Sequence, residues 1–368
     1  MLKFQKHYKI VRFILLLILL GVIIYLHSDY KRSKIRKYYF CKDKSNLTSV
    51  NKLAETIKLN TKLIPGSVYE SDYILPCGTY LQSVYDLKTN MNKYTGKTFF
   101  LTPNNSIIGN KYQLWKTLVN YYGVDGASEV TPYSYLMPDD YYKYKKEYVP
   151  KRKMIFKTND QRQEGLYVTN SLVPLSMVKQ EKFLVAQKFM INPLLYRNRK
   201  TTFRLYLILV TTDKGLKAYV YDNGLLYYTK NTYSLQNNKE FYNIASFYDS
   251  EKLYANGYPL TLKSFLQTLH QRNADKLLDN AIEKLKRLIF AIQKPIFNKV
   301  YYNGNRCCEV FGVDFFPSET YNCHILECNI GPGMEPFNKE DGEMRDDLFK
   351  SMIHMLEYGH SKKLNQIY

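Results

Sequence analysis

The stretch His324–Met334, HILECNIGPGM, constrains the fold more than any other part of the chain. It starts as a buried strand, yet Glu327 and Asn329 sit two apart in the apolar run and share one face. Gly331, Pro332 and Gly333 then end the strand at once. A carboxylate on a packing surface is costly unless something pairs with it, so this strand has to border a polar site. Upstream, EVFGVDFF alternates in the same way and puts Asp314 on one face with Gly312 and Phe316. If the two strands pair, Asp314, Glu327 and Asn329 bring three hard oxygen donors together beside the Gly-Pro-Gly turn. Two such carboxylates repel, and a divalent cation removes the repulsion. Oxygen-only donors suit Mg2+, with phosphate oxygens completing the shell. These three residues are therefore expected to hold a nucleotide's metal. The spacing also fits an exposed strand whose polar residues alternate outward.

Basic residues upstream add the other half of such a site. Lys157 ends the strand KMIFKTN and leads into a polar loop that closes at Gly165, where a lysine and backbone amides could hold phosphates. The loop is not a Walker A loop, since its GK[ST] core is absent. QKFMINPLLYRNRKTTFR then places Gln187 and Lys188 in a strand and Lys200 and Arg204 at the start of another. Cations facing a metal would neutralise a transferring phosphate and orient an acyl phosphate. With 53 Lys and Arg in the chain, any one of them reads as well as solvated surface. Their order gives them weight.

The 368 residues are 45% hydrophobic and 23% charged, a globular composition. The net charge of +20 favours an acidic partner such as nucleic acid, an anionic membrane or an acidic polypeptide, or reflects lysine drift on a solvated surface. No basic helix or RNA-binding aromatic motif concentrates the charge, so nucleic acid is not expected. The cysteines, Cys41, Cys77, Cys307, Cys308, Cys323 and Cys328, form no CxxC pair and read as ordinary buried thiols. Near the N-terminus, KIVRFILLLILLGVIIYLHSDY has no charge from Phe13 to Leu26. It reads as a membrane anchor over residues 10–28, with a cleaved signal peptide and a buried core helix as the alternatives. Lysines and arginines flank both sides and do not fix an orientation. Sequons at Asn46 and Asn104 are compatible with a luminal domain and also arise by chance in an Asn-rich chain.

Between these landmarks strands and helices alternate. KTFFLTP reads as a strand, KYQLWKTLVNYYG as an amphipathic helix closed by Gly123, and PYSYLMPDDYYKYKKEY as a turn into a helix. TFRLYLILVTT and LKAYVYDNGLLYYT continue the sheet, with Asp222-Asn223-Gly224 a hairpin signal. Thr261 to Phe297 reads as helical, with Leu278, Ile282, Leu285, Ile289 and Ile292 spaced by three and four. The mixture is α+β or α/β with antiparallel sheets.

In this order, Lys157 with its loop, QKFMINPLL followed by RKTTFR, YDNGLLYYTKNTY, FGVDFF and LECNIGPG resemble the tubulin–tyrosine ligase-like family of ATP-grasp ligases. The resemblance covers roughly Thr98 to Pro336. It implies an α+β ATP-grasp fold whose antiparallel sheets enclose a nucleotide cleft. Its segments would be a tail at 1–9, the anchor at 10–28 and a basic stalk and lead-in at 29–96. An N-terminal subdomain would follow at 97–150, a central one at 151–190 and a C-terminal one with the metal site at 191–368. Lys157 and Gly165 would serve the nucleotide phosphates, Gln187, Lys188, Phe189 and Met190 the adenine pocket, and Lys200 and Arg204 the catalytic step. Asp314, Glu327 and Asn329 would hold Mg2+. The implied reaction is ATP-dependent ligation of an amino acid to a protein carboxylate through an acyl phosphate, with an acidic acceptor such as a tubulin tail. With the anchor, this would be a single-pass membrane protein; the ATP requirement favours a cytosolic catalytic domain, and the flanking charges leave the orientation open. Thr202 stands where the family usually has Asp, Tyr227 where an Arg is common, and Glu164 in a basic or glycine neighbourhood. These departures keep two alternatives open, a non-catalytic binding protein and an enzyme acting on a non-protein substrate.

Overall fold

The structure, a computed structural model, describes residues 16–22, 37–40, 48–60, 64–76, 87, 89, 91–159, 165–236, 244–298 and 300–368. Its short lead-in strands are β1 (Lys37–Tyr39), β2 (Ile64–Pro65), β3 (Tyr73–Ile74) and β4 (Thr98–Phe99). Next, β5 (Ser134–Leu136), β6 (Met154–Lys157), β7 (Leu166–Thr169) and β8 (Val185–Lys188) form an antiparallel sheet in the order β5-β8-β6-β7. The remaining strands are β9 (Leu195–Tyr196), β10 (Arg199–Thr212), β11 (Gly215–Thr229), β12 (Ala245–Ser246), β13 (Arg306–Pro317), β14 (Cys323–Ile330) and β15 (Leu364–Gln366). With the lead-in strands they make an eleven-stranded sheet. The chain is α+β. The sheet is mixed, because the lead-in strands pair parallel with one another and β4 pairs parallel with β13.

β10 is nearly continuously buried because helices cover both faces of the large sheet. Phe203, Leu205, Leu207 and Leu209 point to one side, where the helix Gln271–Ile296 presents Leu277, Leu285, Leu288 and Ile292. Tyr206, Ile208 and Val210 point to the other, against Leu348, Phe349, Met352 and Ile353 of the helix Lys339–Tyr358. Each such side chain contributes about 1.5–3 kcal/mol by leaving water. The small sheet has its own core of Tyr135, Tyr144, Met154, Phe156 and Ala186.

Several expectations are corrected. Asp222-Asn223-Gly224 makes no hairpin turn: the chain reverses between Thr212 and Gly215, and these residues sit inside β11 at a bulge opposite Leu205–Leu207. Gly224 is required there, since a Cβ would lie 2.1 Å from the Arg204 carbonyl oxygen. Asn223 accepts from the Gly224 and Lys263 amides, a local bond that satisfies a bulge as well as a turn. One expectation stands: Gly123 closes the helix that begins at Lys111. Its φ of 71° and ψ of 176° are non-helical, and a second helix follows at once and runs to Ser128. The stretch from Thr261 to Phe297 divides into Leu262–Leu266 and Gln271–Ile296. Asp140 precedes the helix Tyr141–Lys146, but its carboxylate closes the turn backwards by accepting from the Leu136 amide at 2.8 Å.

The membrane anchor and the single-pass localisation built on it are corrected too. Among the described residues no helix is long and apolar enough to cross a membrane. Of residues 10–28 only 16–22 are described, as helix with exposed side chains. At about 1.5 Å per residue that piece covers about a third of a 30 Å hydrocarbon core. The tail at 1–9, Cys41, Asn46, Cys77 and Glu164 lie outside the described residues. Cys307, Cys308, Cys323 and Cys328 are free and buried, as expected. The sequon at Asn104 is described, and its side-chain nitrogen donates to the Ile296 and Asn298 carbonyls.

The bulge gives the first prediction. Gly224→Ala forces its Cβ into the Arg204 backbone and should destabilise the chain by about 1–3 kcal/mol. Chemical denaturation reads this directly, and an unchanged midpoint would refute the close approach.

Candidate active site

Backbone register builds the site. In the ladders Arg204 lies opposite Asp314, Asp314 opposite Glu327, and Gly312 opposite Asn329. A bulge between β13 and β14, where Asp314 and Phe315 face Glu327 and Ile325, inserts Leu326 as an extra residue. It changes the phase of β14. Cys323, Ile325 and Cys328 enter the core while Glu327 and Asn329 turn to the opposite face. The three expected metal ligands are thereby brought together: Asn329 Nδ2 lies 3.0 Å from Asp314 Oδ2 and 3.4 Å from Glu327 Oε1.

Arg204 grips the same carboxylate. Its Nε and Nη2 donate to Asp314 Oδ1 and Oδ2 at 2.7 and 2.8 Å, a two-pronged bond. The guanidinium also stands 5.4 Å from the centre of the Tyr227 ring. Burial raises the Asp314 pKa despite this partner. Burial also opposes the Glu327 charge, but Lys111, Lys157 and Arg204 outweigh it and hold its pKa low. Glu327 keeps 31% of its side-chain surface against 13% for Asp314, so it is the carboxylate open to a ligand.

Lysines from separate elements gather on this side of the sheet, two of them against these carboxylates. Lys157, at the end of β6, feels Glu327 and Asp314 across the cleft, and burial pulls its pKa to about 8. Lys200, at the start of β10, lies 4.8 Å from the Phe189 ring centre and 5.2 Å from that of Phe316. Burial first, then repulsion from Lys157 and Lys153, brings its pKa to about 7. Sequence reasoning missed two members. Lys153 sits 5.6 Å from the Phe189 ring and donates to the Leu235 carbonyl at 2.6 Å. Lys111 pairs with Glu327 at 3.3 Å. Lys111 had a readable signal: it is the first residue of a helix capped by Asn110, where the helix dipole disfavours a cation unless an anion sits nearby.

The small sheet divides the remaining candidates. Lys157 and Gln187 lie on the face opposite the Phe156 core. Gln187 is fixed there by donating to Ser134 Oγ at 3.0 Å and the Pro132 carbonyl at 3.3 Å. Lys188 is corrected as a cleft side chain. Alternation turns it to the other face, 4.2 Å from the Tyr133 ring centre, leaving only its backbone with the adenine candidates. Phe189 joins the lysines through its ring, and Met190 follows it half-buried. Gly165 has φ 69°, and a Cβ would meet Thr158 Oγ1 at 1.9 Å. It therefore closes the Lys157 loop by close packing, with the Thr158 amide donating to its carbonyl.

Two carboxylates and one amide converging on a point suit a hard, oxygen-seeking cation, provided the Asn329 amide turns its oxygen inward. Among the described residues no group of three or more His, Cys, Asp or Glu side chains forms a metal centre. The third donor here can only be the amide.

The profile of the tubulin-tyrosine ligase family matches residues 89–364. Probable tubulin polyglutamylase TTLL2 of Mus musculus is 25% identical over 245 residues, 62% of this chain and 44% of the relative. Tubulin polyglutamylase ttll-4 of Caenorhabditis briggsae is 26% identical over 267 residues, 67% and 44%. Probable tubulin polyglutamylase ttll-9 of Caenorhabditis elegans is 25% identical over 281 residues, 70% and 66%. The match thus spans less than half the length of the first two relatives.

Lys200 gives the second prediction. Its folded pKa of about 7 lies below the ordinary lysine value of 10.5, so between these pH values the unfolded state binds more protons. Stability lost to the buried charge is therefore present at low pH and fades as pH rises from 7 toward 10. Lys200→Met should stabilise the unliganded protein on the order of 1–3 kcal/mol near pH 6, with the gain vanishing by pH 10. Denaturation curves at both pH values test it, and a mutant less stable at pH 6 contradicts the burial penalty.

Proposed function

Because the chain belongs to the tubulin-tyrosine ligase family, we propose that it is an ATP-dependent carboxylate–amine ligase of ATP-grasp type. The observation that carries this reading is the convergence of Asp314, Glu327 and Asn329 opposite Lys157, Lys200 and Arg204. The nucleotide would lie between the two sheets, its base against the backbone of Gln187 to Met190. Lys157, Lys200 and Arg204 would bind and neutralise its phosphates. Asp314, Glu327 and Asn329 would hold Mg2+, which when bound supplies further neutralisation of triphosphate charge. The acceptor carboxylate attacks the terminal phosphorus and ADP leaves, giving an acyl phosphate. The amino acid's amine then attacks the acyl carbon and phosphate leaves. The protein's part is to position these groups and offset charge, with no covalent nucleophile of its own.

The relatives named tubulin polyglutamylases support glutamate as the added amino acid and an acidic protein tail as acceptor. The net charge of +20 suits such a tail. One observation favours a second reading, nucleotide binding without ligation. Beside Arg204, Thr202 and Tyr227 replace the family's usual Asp and Arg, and Tyr227 is a buried phenol whose pKa burial raises well above normal.

Incubation with ATP, labelled glutamate and an acidic polypeptide separates the two. Label in the polypeptide with ADP release supports ligation. Mg2+-dependent ATP binding with neither supports the second reading, and no ATP binding refutes both. In the same assays Glu327→Gln should abolish the Mg2+ dependence of ATP binding. Lys157→Met should weaken ATP binding by about 1.5–3 kcal/mol, one charge-assisted contact. ATP affinity that ignores both substitutions would remove the site assignment.

A further inference from the structure

The Arg204–Asp314 pair occupies the place where a metal would bind. Both Asp314 oxygens accept from Arg204, and Oδ2 also accepts from Asn329. Glu327 is engaged as well, through Asn329 on Oε1 and Lys111 on Oε2. Every carboxylate oxygen of the ligand set therefore faces a donor of the chain itself.

The fold holds Arg204 in this place. Gly312 leaves the room its stem needs: a Cβ there would lie 3.0 Å from Arg204 Cδ and 3.1 Å from its Nε. The same Cβ would lie 3.0 Å from the Pro332 ring, and Tyr227 supplies the ring beside the guanidinium. The side chain thus lies in a slot along the sheet face. Lys200 lies on the same face of β10, four residues away. At about 3.3 Å per residue their backbones are about 13 Å apart along the strand.

We propose that Arg204 is a resident cation of the metal site: without nucleotide it holds Asp314, and a divalent ion displaces it toward the bound phosphate. This rests on the ligase reading for the identity of the metal ligands. Metal binding alone must break two charge-assisted bonds and turn the Asn329 amide, so it is weak. A bound phosphate offers the displaced guanidinium a new partner. Metal and nucleotide therefore strengthen each other's binding, and by linkage they do so equally.

The test titrates Mn2+ in the absence of nucleotide, reading free Mn2+ by electron paramagnetic resonance. Four proteins are compared: the unaltered chain, Arg204→Gln, Arg204→Lys and Asp314→Asn. Arg204→Gln should bind Mn2+ roughly 10- to 100-fold more tightly than the unaltered chain, the equivalent of one charge-assisted hydrogen bond. Arg204→Lys, which keeps a charge but loses the fork, should fall between them. ATP should then tighten Mn2+ binding less in Arg204→Gln than in the unaltered chain. Equal or weaker Mn2+ binding in Arg204→Gln overturns the proposal. If that variant does not fold, equal or weaker binding in Arg204→Lys overturns it instead. Asp314→Asn separates the two levels. Mn2+ binding that ignores Asp314, or none in any of the four proteins, removes the metal assignment and this inference together. Binding that needs Asp314 yet ignores Arg204 removes this inference alone.

Discussion

The site depends on one crossing of the large sheet, where Arg204, Asp314 and Glu327 stand side by side on three adjacent strands. Backbone hydrogen bonds set that alignment, and side chains only occupy the positions it offers. A slip of one residue in either ladder would turn a whole strand's side chains to the other face. The apolar layers on both sides prevent such a slip. Phe203 stacks on Phe315 with ring centres 5.0 Å apart, one residue from the charged pair and on the opposite face. Packing on one side of β10 and β13 thereby fixes the charge geometry on the other.

That geometry is unbalanced in sign. Lys111, Lys157 and Arg204 gather around Asp314 and Glu327, and Lys153 and Lys200 add further positive charge beside Lys157. Burial and mutual repulsion lower the Lys200 pKa, so the unliganded protein holds its cations at the expense of stability. A polyanion would relieve this strain. The local excess of positive charge is thus a better guide to the ligand than the chain's overall charge, which would suit any acidic surface.

Much of this was legible in the sequence, and the failures share a cause. Period-two alternation correctly put Glu327 with Asn329 and Asp314 with Gly312, because strand geometry is local. It could not see the bulge at Leu326, which turns that pair away from the core. It misread Asp222-Asn223-Gly224 because the same residues satisfy a bulge and a turn, and only the partner strand decides between them. Lys188 was placed by its neighbours in sequence, yet its side chain belongs to the other face of β8. Lys111 and Lys153 went unseen because their relation to the site is tertiary, 216 and 36 residues from Glu327 and Phe189 respectively.

The buried pair Asp341–Arg345 shows how far such tertiary relations extend. Four residues apart on a helix, an acid and a base read as a solvated surface pair worth a few tenths of a kcal/mol. Here Asp341 is 0% and Arg345 2% exposed, with Arg345 Nε and Nη2 donating to both carboxylate oxygens at 2.6 and 2.8 Å. Two buried charges are tolerable only if their remaining hydrogen-bonding groups are satisfied. The Phe337 amide and the Gly333 carbonyl do this: the first donates to Asp341, the second accepts from Arg345. Both lie in the segment that follows β14. The pair therefore ties the turn after Asn329 to the helix Lys339–Tyr358, which also packs against Tyr206 and Tyr227 beneath Arg204. Pro332, carried by that turn, closes the slot over Gly312. One buried ion pair outside the site thus sets both the end of the strand bearing Glu327 and Asn329 and the wall that confines Arg204. This accounts for a charged pair surviving in a position where apolar packing would serve stability as well.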